Sequence, residues 1–197
     1  MLLNWIIPII LAYLCGSISF SYFMGRYRQG IDIRKHGSGN AGATNTLRVM
    51  GKGAALIVFI LDVIKGMAGV GIGYLFRTDP TSLTLMLVCG IAAIIGHNWP
   101  VFLRFRGGKG IATTVGVAAI LFFYAALISG VLGLIAIFIS RFVSLGSLVF
   151  TVSLPFVMLV MGYEMTLILL MSVIALLAVF QHRQNLKNLI NGEERKI

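Results

Sequence analysis

Three segments of the chain gather glycine, small hydroxyl and amide residues beside a histidine and a cation. They are Gly37-Ser-Gly-Asn-Ala-Gly-Ala-Thr-Asn45 followed by Arg48, the run from Gly96-His-Asn-Trp-Pro100 to Arg106-Gly-Gly-Lys-Gly110, and His182-Arg-Gln-Asn185 through Gly192-Glu193. Glycine admits positive φ and close backbone approach, so successive N–H groups can converge on an anion. A helix that starts just past such a turn adds its own donors and the positive end of its dipole. Arg106-Gly-Gly-Lys-Gly110 running into Ile111-Ala-Thr-Thr114 has this layout, with Lys109 as the cation. The chemistry it suits is the handling of phosphate. It is not a nucleotide P-loop, because the full G-x-x-x-x-G-K-[ST] spacing is absent. A tight turn flanked by ordinary basic residues explains either glycine segment alone. Three polar segments of this density argue for more.

The elements that must position these segments are membrane spans. Of 197 residues, 58% are hydrophobic and only 11% charged, with a mean hydropathy of +0.97. Soluble domains have about 25% charged residues. Leu2–Met24, Gly53–Phe76, Ser82–Ile95, Ile111–Ser140, Phe142–Gly162 and Met165–Phe180 are nearly free of charge. A helix satisfies its own backbone in hydrocarbon, which makes such runs spans and the chain, over 1–197, a single integral membrane domain. Leu2–Met24 has no basic stretch before it, with Arg26 and Arg28 after it, and reads as a retained span.

The net charge of +10 invites a nucleic-acid reading, but of 16 Lys and Arg all except Lys65 and Arg77 lie between spans or in the tail. That is the mark of cytoplasmic loops, so no nucleic-acid partner is expected. With those segments inside, the amino terminus lies outside and the carboxyl terminus inside. Parity then asks for a break near Phe122–Ala126, because one helix over 111–140 would leave Arg141 outside. The expected fold is an all-α bundle of about seven transmembrane helices, the fourth short; the alternative is six, with 111–140 as one tilted helix.

Other residues invite weaker readings. Asp62 and Lys65 share one face inside the second span, as a functional pair or a structural ion pair. His36, His97 and His182 have no zinc-ligand spacing, so no metal and no other cofactor is expected. Ser144 and Ser147 follow Arg141 and either face the site or pack helices. Cys15 and Cys89 read as small core residues.

Together the motifs Gly-Ser-Gly-Asn-x-Gly-x-Thr-Asn from Gly37, Gly-His-x-x-Pro from Gly96 with Gly-Gly-Lys-Gly from Gly107, and His-Arg-x-Asn-Leu from His182 with Gly-x-Glu from Gly192, along with Asp62-x-x-Lys65-Gly66, resemble the bacterial acyl-phosphate-dependent glycerol-3-phosphate acyltransferases over essentially the whole chain. The resemblance implies transfer of a fatty acyl group from acyl phosphate to the sn-1 hydroxyl of sn-glycerol 3-phosphate, at the cytoplasmic face of a bacterial inner membrane. The products would be 1-acyl-glycerol 3-phosphate and phosphate, the entry to phospholipid synthesis. Under it Arg48 and Lys109 are the phosphate cations, and Ser38, Gly39, Asn40, Thr44, Asn45, Gly107, Gly108, Gly110 and Thr113 line the phosphates. His182 is the protein base, unless a substrate phosphate takes the proton. Asn185 and Glu193, with Ser144 and Ser147, would orient glycerol 3-phosphate; Asn185 and Glu193 could instead pin the tail. The competing class is a small transporter or channel for an anionic phosphorylated metabolite, which predicts polar groups at mid-membrane in both halves. An alcohol phosphotransferase would want clustered aspartates, and Glu193-Glu194 is the only acidic pair in a motif.

Overall fold

The structure, a computed structural model, describes residues 3–197, which form ten α-helices and no strand. They are α1 (Leu3–Gly16), α2 (Phe20–Gln29), α3 (Ala43–Met50), α4 (Lys52–Phe76), α5 (Thr84–Asn98), α6 (Ile111–Leu121), α7 (Phe123–Ser140), α8 (Val143–Val160), α9 (Met165–Gln181) and α10 (Arg183–Ile190). Five stretches are long and apolar enough to cross a membrane: Leu3–Gln29, Lys52–Phe76, Thr84–Leu103, Phe123–Ser140 and Val143–Val160. A sixth is α9 taken with α10, bent by 58° at His182. Helix α6 has 11 residues and is therefore about 17 Å long, the short segment that parity asks for.

Two expectations need correction. The first span, expected unbroken over 2–24, is interrupted after Gly16 and resumes at Phe20, with its Leu2 lying outside the described residues. Ser19 caps the restart by accepting a hydrogen bond from the Tyr22 N–H, which favours a new helix over a continued one. The single helix over 111–140 of the six-span alternative is absent. Phe122, at φ −140° and ψ 50°, separates α6 from α7. The tail after His182, for which no element was expected, is the helix α10.

The chain forms two compact units, one reaching to Ile120 and the other Leu121–Ile197. In the first unit α1, α4 and α5 pack on one another, and Ala12, Leu85, Cys89 and Ala92 form an apolar cluster with Tyr13 and Phe76 at its edge. The approach is close because small residues lie at the crossings: a methyl group at Gly16 would overlap the Ala93 backbone. In the second unit α8 packs on both α7 and α9, burying Leu154, Met158, Met171 and Ile174. Phe122 is fully buried there, its ring edge-on to Tyr163 with centroids 5.4 Å apart. Many large apolar side chains stay exposed, Phe138 at 87% and Leu176 at 69% among them, as a lipid-facing surface requires.

Candidate active site

In the first unit the two glycine segments are built against each other. The turn Ile33–Lys35 starts at Asp32, whose carboxylate caps it and receives Arg34 in a two-pronged contact, Nε to Oδ1 at 3.0 Å and Nη2 to Oδ2 at 2.8 Å. The remaining nitrogen, Nη1, donates to the Leu103 carbonyl at 2.8 Å, across to the second segment. A further bond joins the segments, from the Ala41 N–H to the Gly107 carbonyl at 3.2 Å. The Arg34 guanidinium holds the Asp32 carboxyl at about 2, below the usual carboxylate range. Neither Asp32 nor Arg34 was among the expected site residues. Their only mark in the sequence is a carboxylate two positions before an arginine.

Asn45 was expected to line a phosphate, yet its amide is engaged within its own loop. Its Nδ2 donates to the carbonyls of Ile33 and His36 at 3.2 and 3.0 Å, and its Oδ1 accepts from the Ser38 N–H at 2.8 Å. At 1% exposure it is a buckle that shapes the loop. Ser38 and Gly39 are exposed, Asn40 and Thr44 half-buried, and the Gly39 N–H bonds the His36 carbonyl. Arg48 lies exposed in the last turn of α3.

The second segment folds back over the end of α5. Gly107 and Gly108 donate their N–H groups to the carbonyls of Asn98 and His97, at 3.2 and 3.0 Å. Those two donors are therefore taken up by the protein, contrary to the expectation that they cradle an anion. What the glycines supply is room: a methyl group at Gly108 would overlap the His97 imidazole, and one at Gly107 the His97 carbonyl. Gly110, at φ +80°, accepts from both the Thr114 N–H and Oγ1 and starts α6. Lys109 is half-buried between these glycines. Thr113 is fully buried, its carbonyl against Gly66, and its Oγ1 has no hydrogen-bond partner among the described residues. The Asn98 amide is likewise buried and unpartnered, which sequence reasoning did not single out.

The second unit assembles the third motif. His182 is buried at the kink between α9 and α10, and its Nδ1 lies 2.8 Å from the Ala178 carbonyl. A carbonyl only accepts, so Nδ1 bears the proton of this contact. Glu194, rather than the exposed Glu193, collects the neighbours: its Oε1 accepts from Ser144 Oγ and Asn185 Nδ2, each at 2.7 Å. Asn188 Nδ2 approaches Oε2 at 3.4 Å. The motif thus fastens the tail to the start of α8, where Ser144 and Ser147 are buried.

Fold and motifs define an all-helical integral membrane protein with polar, glycine-bearing segments at its helix ends. The glycerol-3-phosphate acyltransferase family model matches residues 6–192. The glycerol-3-phosphate acyltransferase of Halalkalibacterium halodurans is 45% identical over 199 residues, covering 99% of this chain and 96% of that one. That of a Thermoanaerobacter species is 48% identical over 194 residues, covering 98% and 95%. Two solved structures of PlsY (YgiH), an integral membrane glycerol 3-phosphate acyltransferase, superpose on the fold. Its glycerol 3-phosphate form gives a TM-score of 0.91 at 36% identity, covering 97% of this chain and 94% of that one. Its lysophosphatidic acid form gives 0.88 at 35% with the same coverage. The chain belongs to the glycerol-3-phosphate acyltransferase family.

Proposed function

We propose that the protein transfers a fatty acyl group from acyl phosphate to the sn-1 hydroxyl of sn-glycerol 3-phosphate, at the cytoplasmic face of a bacterial inner membrane, releasing 1-acyl-glycerol 3-phosphate and phosphate. The observation that carries it is likeness, over 97% of the chain, to a protein whose structures are a glycerol 3-phosphate form and a lysophosphatidic acid form. The donor follows from the resemblance of the three motifs.

The hydroxyl oxygen attacks the acyl carbonyl carbon, a tetrahedral oxyanion forms, and its collapse breaks the bond to the phosphate oxygen. Both substrates are anions, and each pair of unit charges held about 6 Å apart costs roughly 3 kcal/mol at an effective dielectric near 20. Lys109 and Arg48 offset that repulsion. The hydroxyl proton passes to the His182 imidazole or to a phosphate oxygen of a substrate. The leaving group is already good, so charge stabilisation outweighs base strength. Asn185, fixed by Glu194, stands three residues beyond His182 to orient the acceptor. The acyl chain stays in lipid.

Purified protein given acyl phosphate and glycerol 3-phosphate, without CoA and in the presence of chelator, should release phosphate and form 1-acyl-glycerol 3-phosphate. Equal turnover with acyl-CoA as sole donor, or loss of activity in chelator, overturns the proposal.

A further inference from the structure

Asp62 and Lys65 on α4 and His97 on α5 form a buried ionic group that the proposed chemistry leaves without a task. Exposure of the three is 1%, 3% and 6%. Lys65 Nζ lies 2.8 Å from Asp62 Oδ1, and the same oxygen lies 3.5 Å from His97 Nδ1. Lys65 also donates at 2.8 Å to the Ile18 carbonyl, in the interruption between α1 and α2. A buried ion pair is weak support for stability, because removing two charges from water offsets most of their attraction. Its retention in an apolar helix asks for a different account.

That account is geometric. The imidazole of His97 faces Asp62 through Nδ1, and its opposite edge, Nε2 with Cε1 and Cδ2, faces the space where a side chain on Gly108 would lie. The His97 carbonyl meanwhile holds the Gly108 N–H at 3.0 Å. The residue before Lys109 is therefore seated between the ring and the backbone of one histidine, and the ring's Nδ1 faces Asp62 Oδ1 at 3.5 Å. We infer that Asp62, Lys65 and His97 are positioning residues: they fix the backbone that presents Lys109 to substrate phosphate, and touch no substrate themselves. Lys65 serves by balancing Asp62 and by tying the pair to the break in the first span. The inference rests on the proposed function in taking Lys109 as the phosphate cation.

Three full-length variants test it, each read for thermal midpoint and for kcat and KM. His97→Ala leaves the Asp62–Lys65 pair intact, so its midpoint should stay near wild type while kcat falls about 10- to 100-fold, the scale of a misplacement near 1 Å. Asp62→Leu/Lys65→Met removes both charges together and should show the same loss in kcat. Adding His97→Ala to it should cost little more, because both act through the ring. Gly108→Ala should lower kcat in wild type yet cost little in the His97→Ala background, where the methyl has room. This pair decides the matter if the charge-free variant does not fold. Wild-type kcat in His97→Ala overturns the inference, as does a Gly108→Ala loss of equal size in both backgrounds. Lys109→Ala is the separate control. Its full activity would sink the role given to Lys109, whereas an inactive Lys109→Ala beside a fully active His97→Ala sinks this inference alone.

Discussion

Lys109 and Arg48 have the same sign as most charges in the loops and tail, so charge alone does not separate a substrate contact from a topological one. Their effect on rate does. A topological charge is one of many, and its removal leaves the positive excess of the loops and tail standing. A contact to phosphate is worth about 1.5–3 kcal/mol, and more where charge develops in the transition state. Lys109→Ala and Arg48→Ala should therefore insert and fold normally but lose at least about tenfold in kcat/KM, roughly 1.4 kcal/mol or more. Lys52→Ala and Lys187→Ala should stay near wild type, and four equal results would end the assignment. Residue roles were only partly legible beforehand. Composition identified Asn45 as a motif residue, but nothing in it said that the amide would be turned onto the Ile33 and His36 carbonyls. Glu193 and Glu194 are adjacent and alike in sequence; only the fold gives Glu194 to Ser144 and Asn185. A side chain's type is local information, whereas its partner is a property of the packed chain.

At the scale of elements, hydropathy and charge sufficed for the spans and for the interruption near Phe122, because both follow from the polar backbone's need to be paired in lipid. The interruption after Gly16 has no comparable mark, since Ser17-Ile-Ser19 carries no charge and lies within a long apolar run, and its freed Ile18 carbonyl finds a partner 47 positions away in Lys65. The join between the two glycine segments was equally hidden. It depends on Arg34, which the sequence shows as one more basic loop residue. Asp32 gives this join a pH signature. Its carboxyl, ordinarily at 3.8, is held at about 2 by Arg34. A depressed carboxylate contributes stability that is complete above its unfolded value and is lost as pH falls through its folded one. The difference in thermal midpoint between wild type and Asp32→Asn should hold steady down to about pH 4 and shrink between about pH 4 and 2. An undiminished difference at the acid end would mean that Arg34 does not depend on the carboxylate's charge.

For the whole molecule the deciding element is α6, because its 11 residues fall short of the roughly 30 Å of hydrocarbon. If α6 together with Phe122 completes a crossing, α7 returns Arg141 to the cytoplasm and α8 with α9 returns His182 there too. If α6 only enters and leaves on one side, every later element is inverted, and His182 opens on the opposite side from Lys109. Two motifs on opposite faces could not serve one acyl transfer, so the proposed reaction requires the crossing. The basic residues argue the same way, with Arg141, Arg183 and Lys187 all exposed at ends that this topology puts inside. Single cysteines at Arg34, Arg104, Arg141 and Lys187, in a chain whose Cys15 and Cys89 are replaced, should react with an impermeant thiol reagent only from the cytoplasmic side. One at Asp79, in the turn between α4 and α5, should react only from outside. The positions divide the possibilities cleanly. Arg34 and Arg104 precede α6 and report the first unit alone, while Arg141 and Lys187 follow it and report whether the membrane was crossed. Labelling of Arg141 and Lys187 from outside, with Arg34 and Arg104 still inside, would show that α6 does not cross, and the shared-site chemistry would have to be abandoned with it.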